Sequence, residues 1–336
     1  MAKTVLTGGQ SGTLRRGLRD AFANAYESVA EQTKQELEPV MDLNLPSDTD
    51  REFYAYYKHA PYPLYWPRGS EAEKQGFSAV QFSVLNYDYG LEIEWHKNDE
   101  ADDQINMIRS RASEVGTNFA YNDTMAFFDM LLGTANFLPA TIGNAPDGAA
   151  VFATTAGGAA RFGATSGNLL TGTGVATAAA IRTDTFNAFE QFSLFQNNEG
   201  KPLFPPSVID SGYIIYYGAG NEAIFTEAFL QQPTAQTYGT AGVDLAAAGV
   251  QNIFQAAGKQ IELRATQHIT DNDFFIFLRG APHKPFFKQA RQPVEEQVFD
   301  EANSKESART LLRSMIWHER AGYGAFLPYG VIKVNN

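Results

Sequence analysis

The feature that most constrains the fold is a long amphipathic helix predicted between Asp99 and Gly133. Acidic residues crowd its start at Asp99, Glu100, Asp102 and Asp103, where free backbone N–H groups and the helix dipole favour anions. Apolar side chains then recur at intervals of three and four residues until the glycine. A helix of about 30 residues is roughly 45 Å long, which is unusual in a globular domain. The sequence predicts Asp99 as its N-cap.

His96 stands immediately before these acids and raises the question of a metal or acid–base site. A metal site needs several ligands on one face, supported by further polar groups behind them. One histidine at the end of a strand, beside acids that start a helix, does not provide this arrangement. We therefore interpret this stretch as a joint between two structural elements and predict no metal there.

Before the helix, the sequence predicts an aromatic arm followed by two alternating strands. Prolines at 61, 63 and 67 forbid a regular helix or a central strand in residues 51–69. From Phe77 to Trp95 apolar and polar residues alternate around a turn-forming segment, which indicates a long hairpin. An exposed aromatic arm is a contact surface in an assembly, although a loop folded on its own core is the alternative. The predicted contact residues are Tyr54, Tyr56, Tyr57, Tyr62, Tyr65 and Trp66.

Other segments give simpler patterns. An amphipathic helix is predicted over residues 14–37, and residues 139–178, rich in Gly, Ala and Thr, are interpreted as an irregular connection. A helix lined with phenylalanines is predicted over residues 184–200, capped by Asp184. Strands are predicted at SGYIIYYG, QIELRATQHI and DFFIFLRG, a short helix at NEAIFTEAFLQ, and a connector at APHKPFFKQARQP.

No catalytic apparatus can be found in the sequence. The 336 residues include no cysteine, which removes disulfides, thiolate nucleophiles and cysteine metal sites. His318 and Glu319 are adjacent but lack the second histidine of a zinc-protease motif, and neither a P-loop nor a nucleophile-elbow motif is present. We predict no catalytic residue, no cofactor and no metal, so the chain is not expected to be an enzyme.

Charge argues against direct binding of nucleic acid. The formal net charge is −12, and the longest basic run is the pair Arg15–Arg16. DNA affinity depends on cations that release condensed counterions, so this chain should be repelled by DNA, although it could enclose DNA without gripping it. The sequence also lacks a long apolar run and the apolar core of a secretory signal at its start. No membrane partner is expected.

The order of these parts resembles the major capsid proteins of tailed phages, and in detail the Mu-like major head subunit family. The resemblance covers most of the chain and is carried by a few degenerate stretches whose order and spacing are specific. These stretches are VLNYDYGLEIEWHKNDEADDQINMIRSRASEVG, FFDMLLG, NNEGKPLFPPSVIDSGYIIYYGAGNEAI, FFIFLRGAPHKPFFKQARQP and WHERAGYGAFLPYG.

The resemblance implies an α+β, HK97-like capsid fold with an N-arm, an extended E-loop hairpin, a long spine helix, a peripheral domain and an axial domain. One departure is that the family often has a histidine near the segment that here contains Asp147–Gly148 without one. Neither Lys74 nor Lys97 has sequence support as a crosslinking lysine. The implied divisions are an N-arm over 1–50, an E-loop over 51–98, the spine helix and first part of the peripheral domain over 99–180, the axial domain over 181–275, and a return to the peripheral domain over 276–336.

The resemblance also implies a function. The expected role is a structural subunit that self-assembles through hexamers and pentamers into an icosahedral head enclosing the dsDNA of a tailed phage. Scaffold, portal and decoration proteins would be partners, with assembly in the host cytoplasm and a final place in the virion. An encapsulin-type compartment of the same fold is an alternative. A more distant one is an aromatic-rich carbohydrate-active enzyme with two acids roughly 5 to 10 Å apart in a cleft.

Overall fold

A computed structural model of the chain describes residues 8–57, 65–66, 68, 71, 79–102, 107–174, 176–197, 199–229, 258–301 and 304–336. Its helices are α1 (Gly8–Leu37), α2 (Lys97–Asp102), α3 (Met107–Leu132), α4 (Ala178–Leu194), α5 (Pro206–Ile209), α6 (Glu222–Phe229) and α7 (Lys305–Thr310). Its strands are β1 (Met41–Pro46), β2 (Arg51–Tyr57), β3 (Ala79–Leu85), β4 (Tyr87–His96), β5 (Thr155–Ala156), β6 (Ala159–Ala160), β7 (Leu169–Thr171), β8 (Tyr213–Gly218), β9 (Ile261–Thr266), β10 (Phe274–Leu278), β11 (Phe286–Phe299), β12 (Leu312–Ala325) and β13 (Val331–Asn335).

The chain divides into two compact units, each assembled from separate segments. Unit 1 comprises Met1–Phe53, Ser83–Thr141 and Phe286–Gly324. Unit 2 comprises Tyr54–Phe82, Ile142–Pro285 and Ala325–Asn336.

Unit 1 contains a four-stranded sheet in the order β1-β11-β12-β4, together with helices α1 and α3. Strand β1 runs parallel to β11, whereas β12 and β4 run antiparallel to each other. The two helices approach closely, since a Cβ at Gly116 would lie 2.4 Å from the carbonyl oxygen of Phe22. The Phe22 ring stacks on Trp317 at 5.0 Å between centroids, so the predicted amphipathic face of α1 does form core.

Unit 2 contains a five-stranded sheet in the order β7-β13-β10-β8-β9. Strands β8 and β10 are buried along their whole length, which explains their continuous apolar sequences. Phe189 stacks on Tyr213 with 3.9 Å between centroids, and Phe192 is fully buried. The prediction that the phenylalanines of this helix form core is therefore confirmed. Strands β7 and β13 lie outside the range 181–275 that the resemblance assigns to the axial domain.

The predicted cap of the phenylalanine helix was wrong. Helix α4 begins at Ala178, and its N-cap is Thr177, whose side chain accepts a hydrogen bond from the Ala180 N–H. Asp184 lies inside the helix and is 2% exposed. Its carboxylate accepts hydrogen bonds from the backbone N–H and the hydroxyl of Thr173, each at 3.1 Å. The loop before the helix therefore donates hydrogen bonds to the Asp184 carboxylate, which explains how an acidic side chain can be buried inside the helix.

The predicted hairpin between Phe77 and Trp95 also needs correction, because both strands exist but have other partners. Strand β3 pairs with β2, and β4 pairs with β12. Only Asn86 separates β3 from β4, which is too short for a hairpin turn. Asn86 is buried, and its side-chain amide donates to the Ser47 hydroxyl at 2.7 Å and the Thr49 carbonyl at 2.8 Å. The strands that pair in this region are thus β2 and β3.

Two further segments differ in detail from their predictions. The connector APHKPFFKQARQP contains the start of β11, a strand of 14 residues whose first four side chains are buried. The spine helix was predicted from Asp99 to Gly133, and the structure has α2 and then α3, with residues 103–106 outside the described part. Helix α3 ends at Leu132, and Gly133 follows with a left-handed φ of 69°, so the predicted stop is confirmed.

Candidate functional site

The segment 51–98, which the resemblance implies to be an E-loop, carries the strongest candidate contact surface. Phe53 on β2 is 76% exposed, and beyond the strand Tyr65 and Trp66 are 89% and 65% exposed. The side chains of Tyr56 and Tyr57, and the whole of Tyr62, lie outside the described residues. Large aromatic side chains at this exposure are typical of surfaces that are covered by a partner.

Tyr54 behaves differently from the other predicted contact residues. Its ring stacks on Phe82 with 5.4 Å between centroids and meets Phe326 edge-on at 6.4 Å. Both contacts lie within unit 2 of the same chain. Part of the Tyr54 ring therefore already packs in its own chain, whereas Tyr65 and Trp66 remain exposed.

The region around His96 is a joint between β4 and α2, as interpreted from the sequence, but Asp99 is not its N-cap. Helix α2 begins at Lys97, so Asp99 is an exposed residue inside the first turn. His96 Nδ1 accepts a hydrogen bond from the Asn98 N–H at 3.1 Å, and the Lys97 N–H donates to the Leu311 carbonyl at 2.9 Å. Across the residues that the structure describes, no group of three or more potential metal ligands is placed to hold a metal ion.

Asp99→Ala is accordingly expected to lower the free energy of unfolding by no more than about 0.5 kcal/mol, through a weakened interaction with the helix dipole. Thr177→Ala is the matched comparison, because Thr177 is an N-cap, and it should cost about 1 kcal/mol. Urea denaturation of both variants measures the difference. A larger loss for Asp99→Ala than for Thr177→Ala would contradict this assignment of the caps.

A buried cluster of charges lies within unit 1, centred on Lys288 of β11. Its ammonium group is 2.7 Å from Oδ1 of Asp123 on α3 and 2.5 Å from Oε1 of Glu319 on β12. The Tyr323 hydroxyl donates to the same Asp123 oxygen at 2.8 Å. The side chains of Lys288 and Glu319 are 9% and 7% exposed, and that of Asp123 is 23% exposed. The cluster thus joins the long helix to two neighbouring strands.

The electrostatic environment of this cluster favours the charged form of Lys288 and disfavours the ionised form of Glu319. Burial disfavours the charged form of Lys288, but Asp123 and Glu319 outweigh burial and raise the pKa of Lys288 above its ordinary value. Burial raises the pKa of Glu319, and the nearby Asp123 adds to this effect while Lys288 opposes it. Burial likewise raises the pKa of Tyr323 well above its ordinary value. Burial thus opposes the ionised forms of both Glu319 and Tyr323.

Sequence reasoning missed this cluster, although one signal was present. Along β12, Trp317, Glu319, Ala321 and Tyr323 alternate onto one buried face. A glutamate at a core position of an alternating strand requires a buried partner. That partner, Lys288, follows two phenylalanines in a segment interpreted only as a connector.

Arg161 organises the segment that the sequence suggested was an irregular connection. It is 1% exposed and its guanidinium donates to both carboxylate oxygens of Asp147, at 2.8 and 3.0 Å. It also donates to the carbonyls of Ala150 and Val151, each at 2.8 Å, and to Asn168 Oδ1 at 2.9 Å. The segment has only short strands, as expected, but this arginine fixes its loops.

No helix within the described segments is long and apolar enough to span a membrane.

Comparison with known proteins supports a capsid protein. Residues 13–155 match the sequence model of the family described as the Mu-like prophage major head subunit gpT. No curated protein sequence matches the chain.

Several solved structures share the fold. The capsid protein of Cyanophage P-SCSP1u aligns with a TM-score of 0.56 and 12% identity, covering 89% of this chain and 86% of that chain. The capsid of a native GTA particle aligns with a TM-score of 0.55 and 10% identity, covering 89% of this chain and 90% of that chain. A virus-like particle from Pyrococcus furiosus aligns with a TM-score of 0.50 and 10% identity, covering 93% of this chain and 96% of that chain. At such low identities the likeness shows the fold, and the family match adds the class of protein. Together they identify the chain as a structural major capsid protein with the HK97-like fold, similar to Mu-like prophage major head subunits.

Proposed function

We propose that this chain forms the head shell of a tailed phage, assembling through hexamers and pentamers into an icosahedral capsid around double-stranded DNA. The observation that carries the proposal is the family match over residues 13–155, which includes most of α1, the strands β2 and β3, and α3. The exposed aromatic residues of the E-loop support it independently, because a shell subunit needs apolar surface that only its neighbours cover.

The E-loop is the proposed inter-subunit contact. Strands β2 and β3 form a two-stranded sheet, and an isolated sheet of that size is only marginally stable. Each large ring gains about 1.5 to 3 kcal/mol when it is fully removed from water. Burial of Phe53, Tyr65 and Trp66 against a neighbour would therefore favour both the assembly and the extended form of the loop.

The proposed division of the subunit follows the resemblance. Residues 1–50 act as the N-arm, 51–98 as the E-loop and 99–180 as the spine helix and first part of the peripheral domain. Residues 181–275 act as the axial domain, with the return to the peripheral domain over 276–336. Support comes from α3, which supplies the long helix, and from strands β8 and β9 of the five-stranded sheet of unit 2, which lie within the axial range.

Trp66→Ala is expected to impair assembly more strongly than it impairs folding, because the side chain is 65% exposed in the single chain. Tyr54→Ala is the matched comparison, since Tyr54 packs on Phe82 and Phe326 of its own chain and its loss should reduce the stability of the subunit. Sedimentation measures the yield of large particles, and thermal denaturation measures the fold. Full assembly by Trp66→Ala at wild-type yield would count against the proposed contact.

The purified protein is expected not to bind duplex DNA at physiological salt. Its net charge of −12 leaves few cations to release condensed counterions, so the shell would enclose DNA without gripping it. An electrophoretic mobility-shift assay at micromolar protein tests this expectation. A shift of duplex DNA at or below that concentration would contradict it.

Partners follow from the same proposal. A scaffold, a portal and a decoration protein would act with the shell, and assembly would take place in the host cytoplasm before the protein becomes part of the virion. An encapsulin-type compartment of the same fold is the alternative. Particles isolated from the natural source would distinguish the two, because the first encloses double-stranded DNA and the second encloses a protein cargo.

A further inference from the structure

The turn between β1 and β2, residues 47–50, is fixed by a glutamate that follows it. Oε1 of Glu52 accepts hydrogen bonds from the backbone N–H groups of Asp48 and Thr49, at 2.7 and 2.8 Å. The Ser47 hydroxyl donates to the same oxygen at 3.1 Å. Because three donors of one turn meet a single carboxylate oxygen, the backbone that leads into β2 is held in one conformation.

The buried amide of Asn86 holds the same turn through other atoms. Its side chain donates to the Ser47 hydroxyl and the Thr49 carbonyl, and its backbone N–H donates to the Asp50 carbonyl at 2.9 Å. The fully buried Gln289 in turn donates to Asn86 Oδ1 at 2.6 Å. A buried polar network of this kind favours a single conformation, because a different path would leave buried donors and acceptors unpaired.

This turn leads directly to Phe53, which follows Glu52 on β2. The Phe53 side chain is 76% exposed, whereas the next residue, Tyr54, stacks on Phe82. Alternation along the strand places Arg51 on the same face as Phe53, and Arg51 is also exposed. The strand therefore presents a large apolar ring beside a cation, on a backbone that hydrogen bonds already hold in place.

We propose that Glu52 and Asn86 are positioning residues for assembly, which hold Phe53 in the conformation that a second copy of this chain binds. The inference rests on the proposed shell function and adds the residues that prepare one of its contacts. An interface anchor that is ordered before binding loses less conformational freedom on association. Glu52 and Asn86 thus raise the affinity between copies through Phe53, without contacting the neighbour themselves.

Charge favours a second copy as the partner of this face. The net charge of −12 means that another copy offers acidic surface to Arg51. Strand β4 shows that such surface also includes apolar groups, since Leu91 is 45% exposed and is followed by the exposed Glu92 and Glu94. A contact between two different patches can repeat from copy to copy, as the growth of a shell requires.

The lowest protein concentration at which particles form measures this contact, and sedimentation of the full-length protein determines it. Phe53→Ala should raise this concentration about tenfold or more, through the loss of a buried ring. Glu52→Ala should raise it about threefold to tenfold, because the turn must then become ordered during association. Glu52→Gln keeps an oxygen that accepts the same hydrogen bonds and should stay within about twofold of the wild type.

The double variant Glu52→Ala/Phe53→Ala separates positioning from a general loss of stability. If Glu52 acts through Phe53, the double variant should need the same concentration as Phe53→Ala alone. Effects that multiply would show that Glu52 acts independently of Phe53 and would overturn the proposal. A loss in Glu52→Gln as large as that in Glu52→Ala would also overturn it, because the negative charge and not the hydrogen-bonded turn would then be responsible.

Hydrogen exchange of isolated subunits tests the turn itself. The amides of Asp48 and Thr49 should exchange faster in Glu52→Ala and Asn86→Ala than in the wild type, and Glu52→Gln should match the wild type. Asn86→Ala should also raise the assembly concentration. Ser47→Ala, which removes only the hydroxyl between the two side chains, tests the same link if thermal denaturation shows that Asn86→Ala is unfolded.

The wild type distinguishes this inference from the shell function on which it rests. Particles from the wild type, together with equal assembly by Glu52→Ala, would overturn the positioning role and leave the shell function standing. A wild type that forms no particles would overturn both.

Discussion

Lys288→Met is expected to lower the free energy of unfolding by about 3–5 kcal/mol, because it leaves buried carboxyl groups without their cation. Lys288 contacts Asp123 at 2.7 Å and Glu319 at 2.5 Å, and both contacts would be lost together. Methionine fills a similar volume, so the loss reports the charge and not a cavity. Denaturant titration followed by tryptophan fluorescence measures the effect, since Trp317 and Trp95 are both buried in unit 1.

Lys259→Met is the matched control for this measurement. Lys259 pairs with Asp210 at 2.6 Å, but the Asp210 side chain is 65% exposed. Water can solvate that carboxylate when its partner is removed, so the expected loss is at most about 1 kcal/mol. Similar losses for the two lysine variants would show that the Lys288 cluster has no special place in the stability of unit 1.

Arg161→Met is expected to have an effect of comparable size, about 3–5 kcal/mol in the free energy of unfolding. The substitution removes the guanidinium group that donates to both carboxylate oxygens of Asp147. It also leaves the carbonyls of Ala150 and Val151 without this donor. Arg161→Lys should recover only part of the loss, because an ammonium cannot reach these acceptors with the geometry of a guanidinium. Thermal denaturation measures the loss, and hydrogen exchange of residues 145–169 locates it.

Arg111→Met provides the control for the arginine prediction. Arg111 pairs with Glu114 on the surface of α3, where the two side chains are 63% and 55% exposed. An exposed pair of this kind contributes about 0.3–0.5 kcal/mol. Unchanged hydrogen exchange in residues 145–169 of the Arg161→Met variant would contradict the role given to Arg161.

The elements that the sequence predicted well are those whose pattern is local. The helix that ends before Gly133, the helix over residues 14–37 and the buried strand at Tyr213–Gly218 each follow from spacing along one segment. Hydrophobic period and a glycine stop specify such elements without information about distant residues.

Strand pairing was not predictable in the same way. The alternation in β3 and β4 identifies two strands but does not say which strand each one meets. Strand β4 pairs with β12, more than 200 residues away, in a register that includes Trp95 opposite Arg313 and Leu91 opposite Trp317. Sequence proximity suggested a hairpin, and the distant partner prevailed because it brings the apolar face of β4 into the core of unit 1.

In the candidate site, too, local features could be predicted from the sequence and long-range contacts could not. The exposure of Tyr65 and Trp66 follows from aromatic residues among prolines, which have no regular element to join. The partners of Lys288 and Arg161 could not be deduced, because each buried charge finds its counter-charge only through the tertiary fold. The N-cap assigned to Asp99 was wrong because α2 starts two residues earlier, at Lys97.

Electron microscopy of the purified full-length protein is the most direct test of the shell function. Closed icosahedral particles assembled from this chain are expected, with the exposed residues Phe53, Tyr65 and Trp66 buried against neighbouring copies. The same preparation of Trp66→Ala should contain fewer particles at equal protein concentration. Folded wild-type monomers that stay dispersed, across the concentrations and salts that support assembly of other phage shells, would rule out the proposed shell function.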